Sequence, residues 1–243
     1  MSDQPHRVAA SRVKRPTFDP QVQPWVPASG SHGLIPNDVL SPDFVRSVLG
    51  RAIEQPLGLP DELVTSYAKT AAMIEAAVLV PLVLRDNGLT VLLTQRTDHL
   101  HDHAGQVSFP GGRVEQADQD PIATALRETH EETGVTAEHV DVIGRLPRYI
   151  TGTGYAITPV TGLVRPTFSL APDEFEVAEV FEVPLSFLTN PASYRLHQAR
   201  MPDGTVRYFY SVPWNNFFIW GATAAMLRGM YQVLAEAFSS SRR

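Results

Sequence analysis

The chain has 243 residues with 43% hydrophobic content, enough for one well-buried core and a small appendage. A net charge of −6 with no lysine- or arginine-rich block removes the surface that polymeric nucleic acid needs, and the lack of cysteine excludes disulfides, thiolate zinc sites and a cysteine nucleophile. Residues 1–14 carry no apolar signal core and no stretch reaches the roughly 20 apolar residues of a membrane span, so a cytoplasmic protein with neither membrane nor nucleic-acid partners is expected.

Prolines at 5, 16, 20, 24, 27 and 36 predict an extended, partly ordered arm over the first 40 residues. Ser41, Pro42 and Asp43 then read as a cap and first turn, with Phe44, Val45, Val48 and Leu49 at helical spacing, predicting a short helix over about 42–54. A weaker helical pattern covers 61–72. Residues 1–72 are thus taken as an N-terminal extension and 73–243 as the main domain. Apolar runs at 76–84 and 89–94 flank Asp86, Asn87 and Gly88, the signal of a β-hairpin. Further short strands are predicted at 107–109, 140–146, 157–164, 176–183 and 206–212, with helices at 121–133 and roughly 216–238. This mixed order predicts an α/β sandwich. Gly152, Thr153 and Gly154 are too short for a dinucleotide fingerprint, and no serine elbow is present.

The helix at 121–133 has well-marked limits: Asp120 as cap, Pro121 at its first position and Gly134 as its stop. Ile122, Ala125, Leu126 and Thr129 then form a narrow stripe for the core, and Glu128, Glu131 and Glu132 gather on another face. Glu128 and Glu132 repel at i, i+4, and all three glutamates sit where the helix dipole disfavours anions. A hard divalent cation with oxygen ligands would relieve both penalties, although solvated glutamates on an exposed face would look the same. Arg127 is spaced to pair with Glu131.

Residues Arg127, Glu128, Glu131, Glu132, Gly134 and Val135 resemble the second half of the Nudix hydrolase signature, and Gly112 with Asp118 resembles its first half. The general signature would put a glutamate at Gln119 and an aliphatic residue at Thr129. The acid at Asp118, one residue further from Arg127, is similar to the coenzyme A pyrophosphatase branch. So is the upstream run Leu92, Leu93, Thr94, Arg96, Leu100, Gly105, Phe109, Pro110, Gly111 and Gly112, with His101 standing where that branch usually has arginine. The resemblance covers about 76–238.

It implies an α/β/α sandwich with a mixed sheet and hydrolysis of coenzyme A or its derivatives to 3′,5′-ADP and 4′-phosphopantetheine. Glu128, Glu131 and Glu132 would hold Mg²⁺, or Mn²⁺, and Arg127 would orient them. Arg96, His103, Gly105, Gln106, Phe109, Gly111 and Gly112 are the implied substrate contacts, Arg96 as a phosphate clamp. For Arg96 an ordinary surface role, for His103 a loop-closing hydrogen bond and for Phe109 a core role are the alternatives. Glu179 is the implied downstream ligand or base, with Glu174, Glu176 and Glu182 as competitors. The general base stays open between Glu128, Glu179 and hydroxide on the metal. Homodimerisation is an expectation of the fold type alone. The remaining alternatives are a Nudix hydrolase for ADP-ribose, dinucleotides or nucleoside triphosphates, and a non-catalytic nucleotide-binding module.

Overall fold

The computed structural model describes residues 18–28, 30, 32–51, 73–100 and 104–242. The helix expected over 61–72, the end of that expected over 42–54, and His101 and His103 lie outside the described residues.

The branched apolar run Ile74–Val83 forms β2, which lies parallel to β8 (Tyr155–Val164) along its whole length. On its far edge β8 takes β6 (Val140–Arg145) and the short β7 (Tyr149–Ile150), both antiparallel. Successive residues of β2 alternate between faces, so Ala77 and Leu79 pack on one side of the sheet while Val80 and Leu82 enter the main core on the other. From the Asp86–Gly88 turn the chain returns as β3 (Thr90–Arg96), but β2 and β3 pair only at Leu82↔Val91 and Val83↔Thr90. Beyond those two rungs the hairpin opens. β9 (Val177–Pro184) covers the outer edge of β3, while β4 (Val107–Ser108) pairs with β3 and β5 (Gly111–Arg113) pairs with β2 along their facing edges. The Phe109-Pro110 step between β4 and β5 therefore spans the split in the sheet.

Helix α2 (Pro121–Thr133) lies on the Ala77 and Leu79 face. Its Asp120 side chain accepts from the Ala123 N–H at 2.9 Å, and Gly134 ends it at φ 79 with its N–H on the His130 carbonyl at 2.8 Å. Ala125, Ile122 and Leu126 pack against Ala77, Leu79 and Val160. Thr129, polar within the apolar stripe, is buried with its hydroxyl donating to the Ala125 carbonyl at 2.6 Å, so the buried oxygen is satisfied inside the helix.

The opposite face is covered by a second, antiparallel sheet, β1 (Trp25–Pro27), β10 (Arg195–Arg200), β11 (Val206–Trp214) and β12 (Phe217–Trp220), and by α4 (Gly221–Ser240). The short α3 (Leu185–Leu188) follows β9. The helix expected from 216 instead begins at Gly221. Residues 217–220 are a strand because their side chains alternate: Phe217 and Ile219 enter the core, while Phe218 packs on His197 and Trp220 on Phe209. A tight turn with Asn215 at φ 50 joins β11 to β12. Helix α1 (Pro42–Leu49) is shorter than expected and closes at Gly50, with Ser41 capping its start. Segment 18–51 is built into the core through Ile35, Leu40, Val45 and Leu49, and the Tyr231 hydroxyl donates to the His32 carbonyl at 2.7 Å. Among the described residues, no helix is long and apolar enough to cross a membrane.

Candidate active site

Two local structures meet at the C-terminal half of α2. One is the helix itself, which carries Arg127, Glu128, Glu131 and Glu132. The other is β5, whose glycines let a strand pass directly under the helix. A Cβ on Gly112 would lie 2.6 Å from Glu128 Oε2, with the rest of that carboxyl group nearer still. One on Gly111 would lie 2.6 Å from the Val78 Cα. Both glycines are thus required by close approach, the first of a functional side chain and the second of a neighbouring strand.

Arg127 is the hub. Its Nε and Nη2 donate to the two oxygens of Asp118, both at 3.0 Å, while Nη1 donates to Glu128 at 2.9 Å and Glu131 at 3.1 Å. The fork geometry of the guanidinium suits this division. Asp118 also accepts from the Glu115 N–H and the Thr124 hydroxyl, each at 2.9 Å, and Arg127 holds its carboxyl well below the usual carboxylate range. The acid one position before Gln119 therefore reaches Arg127 fully, while Gln119 is exposed.

Glu132 is 5% exposed, and burial pushes its carboxyl up to about 8 against the opposing pull of Arg96. Its Oε2 accepts from the Gly111 N–H at 3.3 Å, and its Oε1 lies 3.8 Å from Arg96 Nη1. Burial also raises Glu128, against hydrogen bonding by Arg127. Arg96 reaches Glu176 with its other terminal nitrogen, also at 3.8 Å, and its Nε is buried without a hydrogen-bond partner. Its guanidinium thus lies between two carboxylates, too far from either for a hydrogen bond.

The structure brings Arg96, Gly111, Gly112, Arg127, Glu128, Glu131 and Glu132 together, and adds Asp118 and Glu176. Glu179 is placed elsewhere: it is exposed, opposite Gln95, on the face of β9 that carries Phe181 and Val183 and not on the α2 side. Past the register shift between Gln95 and Arg96, it is Glu176 that lies beside the cluster, 3.8 Å from Arg96. Glu182 is occupied by Arg85 and the Thr90 hydroxyl. Phe109 is 2% exposed in the main core and offers a ligand no surface. Gly105, at φ 69, and Gln106 shape the loop leading into β4; their carbonyls accept from Gln95 Nε2 at 3.3 Å and the Arg96 N–H at 2.9 Å.

Among the described residues, no three acidic or histidine side chains converge on a point that holds an ion. Arg127 draws Glu128 and Glu131, and the Gly111 N–H draws Glu132. The donor chemistry still fits a hard divalent cation: three carboxylates at a helix C-terminus, two of them penalised as anions by burial.

Residues 73–201 match the family model described as NUDIX domain. Over 200 residues the chain is 36% identical to the uncharacterized Nudix hydrolase NudL of Yersinia pestis (strain Pestoides F), covering 81% of this chain and 98% of that protein. NudL of Yersinia pseudotuberculosis serotype O:1b matches to the same extent, 36% over 200 residues with the same coverage of 81% and 98%. Among solved structures, the Nudix hydrolase RenU of M. smegmatis is similar at 21% identity and a TM-score of 0.43, over 71% of this chain and 91% of that one. The NUDIX domain of Shewanella oneidensis NrtR, complexed with ADP ribose, is similar at 22% identity and a TM-score of 0.38, over 53% and 85%. The family match and the NudL relatives place the chain among hydrolases of pyrophosphate bonds in nucleoside diphosphate derivatives, enzymes that typically use divalent metal ions. The chain belongs to the Nudix hydrolase family.

Proposed function

We propose that this enzyme hydrolyses the pyrophosphate bond of coenzyme A or its acyl derivatives, releasing 3′,5′-ADP and 4′-phosphopantetheine or its acyl form. The reading is carried by the run from Leu92 to Gly112, which resembles the motif of the coenzyme A pyrophosphatases and leads from β3 into β5. Arg96 at one end of that run and Gly111 at the other both approach Glu132.

Bound by Glu128, Glu131 and Glu132, Mg²⁺ or Mn²⁺ would neutralise the pyrophosphate oxygens and acidify the attacking water. Arg127 keeps Glu128 and Glu131 in a common orientation. Arg96, with donors left over between two carboxylates, binds a phosphate oxygen of the substrate. Water attacks one phosphorus, the bridging P–O bond breaks toward the other phosphate, and a carboxylate takes the water proton. We assign that proton to Glu128 in preference to Glu179, because Glu128 belongs to the cluster and Glu179 stands opposite Gln95 on the other face of the sheet.

The test is product analysis with Mg²⁺, offering coenzyme A, ADP-ribose and NADH side by side to the wild type and to Glu132→Gln. Release of 3′,5′-ADP from coenzyme A by the wild type alone is the expected result. Equal turnover of all three by the wild type would remove the coenzyme A assignment and leave a broader Nudix hydrolase.

A further inference from the structure

The loop between β8 and β9 holds one aromatic ring out in solvent beside the carboxylate cluster. Its first part is fastened to the end of α2, where the Ala171 and Asp173 N–H groups donate to the Thr133 and Glu132 carbonyls at 2.9 and 3.3 Å. These bonds satisfy helix-end acceptors that would otherwise lack partners. The loop then folds on Asp173, whose side chain accepts from the Phe175 N–H at 2.9 Å and whose carbonyl accepts from Glu176 at 3.0 Å and Val177 at 2.8 Å. On the far side, Thr97 donates its hydroxyl to the Phe175 carbonyl at 2.8 Å and its N–H to the Glu176 carbonyl at 3.0 Å. The main chain on both sides of Phe175 is therefore hydrogen-bonded, yet the residue remains 65% exposed. The ring meets the exposed imidazole of His99, with centroids 4.8 Å apart and planes at 59°.

A single exposed aromatic is ordinary on a protein surface. Phe175 differs in that its main chain is hydrogen-bonded on both sides and that the next residue, Glu176, lies 3.8 Å from Arg96. A nucleotide carries its base one ribose away from the phosphate that such an arginine would hold. We propose that Phe175, buttressed by His99, is the stacking platform for the purine ring of the substrate. The proposal rests on the carboxylate cluster being the site of pyrophosphate cleavage, and not on coenzyme A being the substrate, since a purine face is common to every adenine nucleotide. Stacking is indifferent to the rest of the molecule and depends on the π-face of the side chain.

The test compares Phe175→Leu, which keeps apolar bulk but lacks the aromatic face, with Phe175→Tyr, which keeps it. Binding of AMP and of ribose 5-phosphate, a probe without a base, is measured by calorimetry on the full chain. Phe175→Leu is expected to weaken AMP about tenfold and to leave ribose 5-phosphate unchanged, while Phe175→Tyr binds AMP like the wild type. In steady-state assays Phe175→Leu should raise KM for the substrate that is turned over, with kcat little affected. The proposal is overturned if AMP fails to bind the wild type, if Phe175→Leu leaves AMP affinity unchanged, or if both probes weaken together, which would mark a displaced loop. Failure of the wild type to cleave any of the three pyrophosphate substrates, with the AMP result intact, would remove the coenzyme A assignment and leave Phe175 as the base platform for a different nucleotide substrate.

Discussion

Replacing Gly112 with alanine separates catalysis from stability in a way the structure makes quantitative. The added Cβ would lie 2.6 Å from Glu128 Oε2, whereas an ordinary contact begins at 3.4 Å, so the carboxylate must retreat. Misplacing a catalytic group by about 1 Å can cost on the order of 100-fold in rate, and a loss of that size in kcat is expected. The group that moves is the end of a flexible side chain, and Gly112 does not occupy the left-handed region, so unfolding free energy should fall by less than about 1 kcal/mol. Gly111→Ala gives the contrast. Its Cβ would meet the Val78 Cα at 2.6 Å, forcing two strands apart, and a loss above about 2 kcal/mol is expected. Steady-state kinetics with Mg²⁺ and urea unfolding of both variants provide the readout. Wild-type kcat in Gly112→Ala, or equal destabilisation of the two variants, would refute the assignment of Glu128 to the surface of that glycine.

Glu132 supplies a pH prediction. Its carboxyl is raised from 4.5 to about 8, so without metal the folded chain keeps a proton that the unfolded chain gives up. Its contribution to stability is complete below about pH 4.5 and is lost as pH rises toward 8, at no more than about 1.4 kcal/mol per pH unit. In chelator, thermal unfolding of the wild type should therefore fall more steeply over that window than that of Glu132→Gln, and Mg²⁺ at pH 8 should restore the wild type. Parallel pH profiles for the two proteins would show that Glu132 does not hold the extra proton. Asp118→Asn removes one side of the bidentate contact with Arg127, and a loss of roughly 3 kcal/mol is expected with weaker Mg²⁺ binding, because Glu128 and Glu131 lose their common anchor. Unchanged denaturation midpoint and metal affinity would argue that the contact is dispensable.

Helix α2 was readable because its ends are written in single residues: a capping aspartate, a proline and a glycine in the left-handed region. Its burial was readable from spacing, except that Thr129 needed the structure to show how a hydroxyl is satisfied. β5 escaped because two adjacent glycines signal a turn, and the strand that accepts them lies more than thirty positions earlier in the chain. Aromatic bulk at Phe217, Phe218 and Trp220 suits helix and strand alike; the two asparagines before it were the available turn signal. Glu176 and Glu179 could not be ranked from sequence. The pairing of β9 with β3 decides it, setting Glu179 opposite Gln95 on the far face and leaving Glu176 near Arg96, and that pairing leaves no compositional trace. The hub role of Arg127 was half visible, since a helical spacing gives Glu131, while the contact with Asp118 spans the cap.

The packing of residues 18–51 and of everything after 201 bears on how the protein can be cut. The family match, 73–201, contains the carboxylate helix and the split sheet, yet Val80, Leu82, Val91 and Leu93 bury themselves against partners outside that interval. Ile35, Leu40, Val45 and Leu49 arrive from before it, and Val212, Ile219, Leu227, Met230 and Leu234 from after it. A fragment trimmed to the recognisable motif would leave one side of the sheet as a bare apolar wall, a surface for aggregation. The unit that packs around one core therefore reaches beyond the matched segment on both sides.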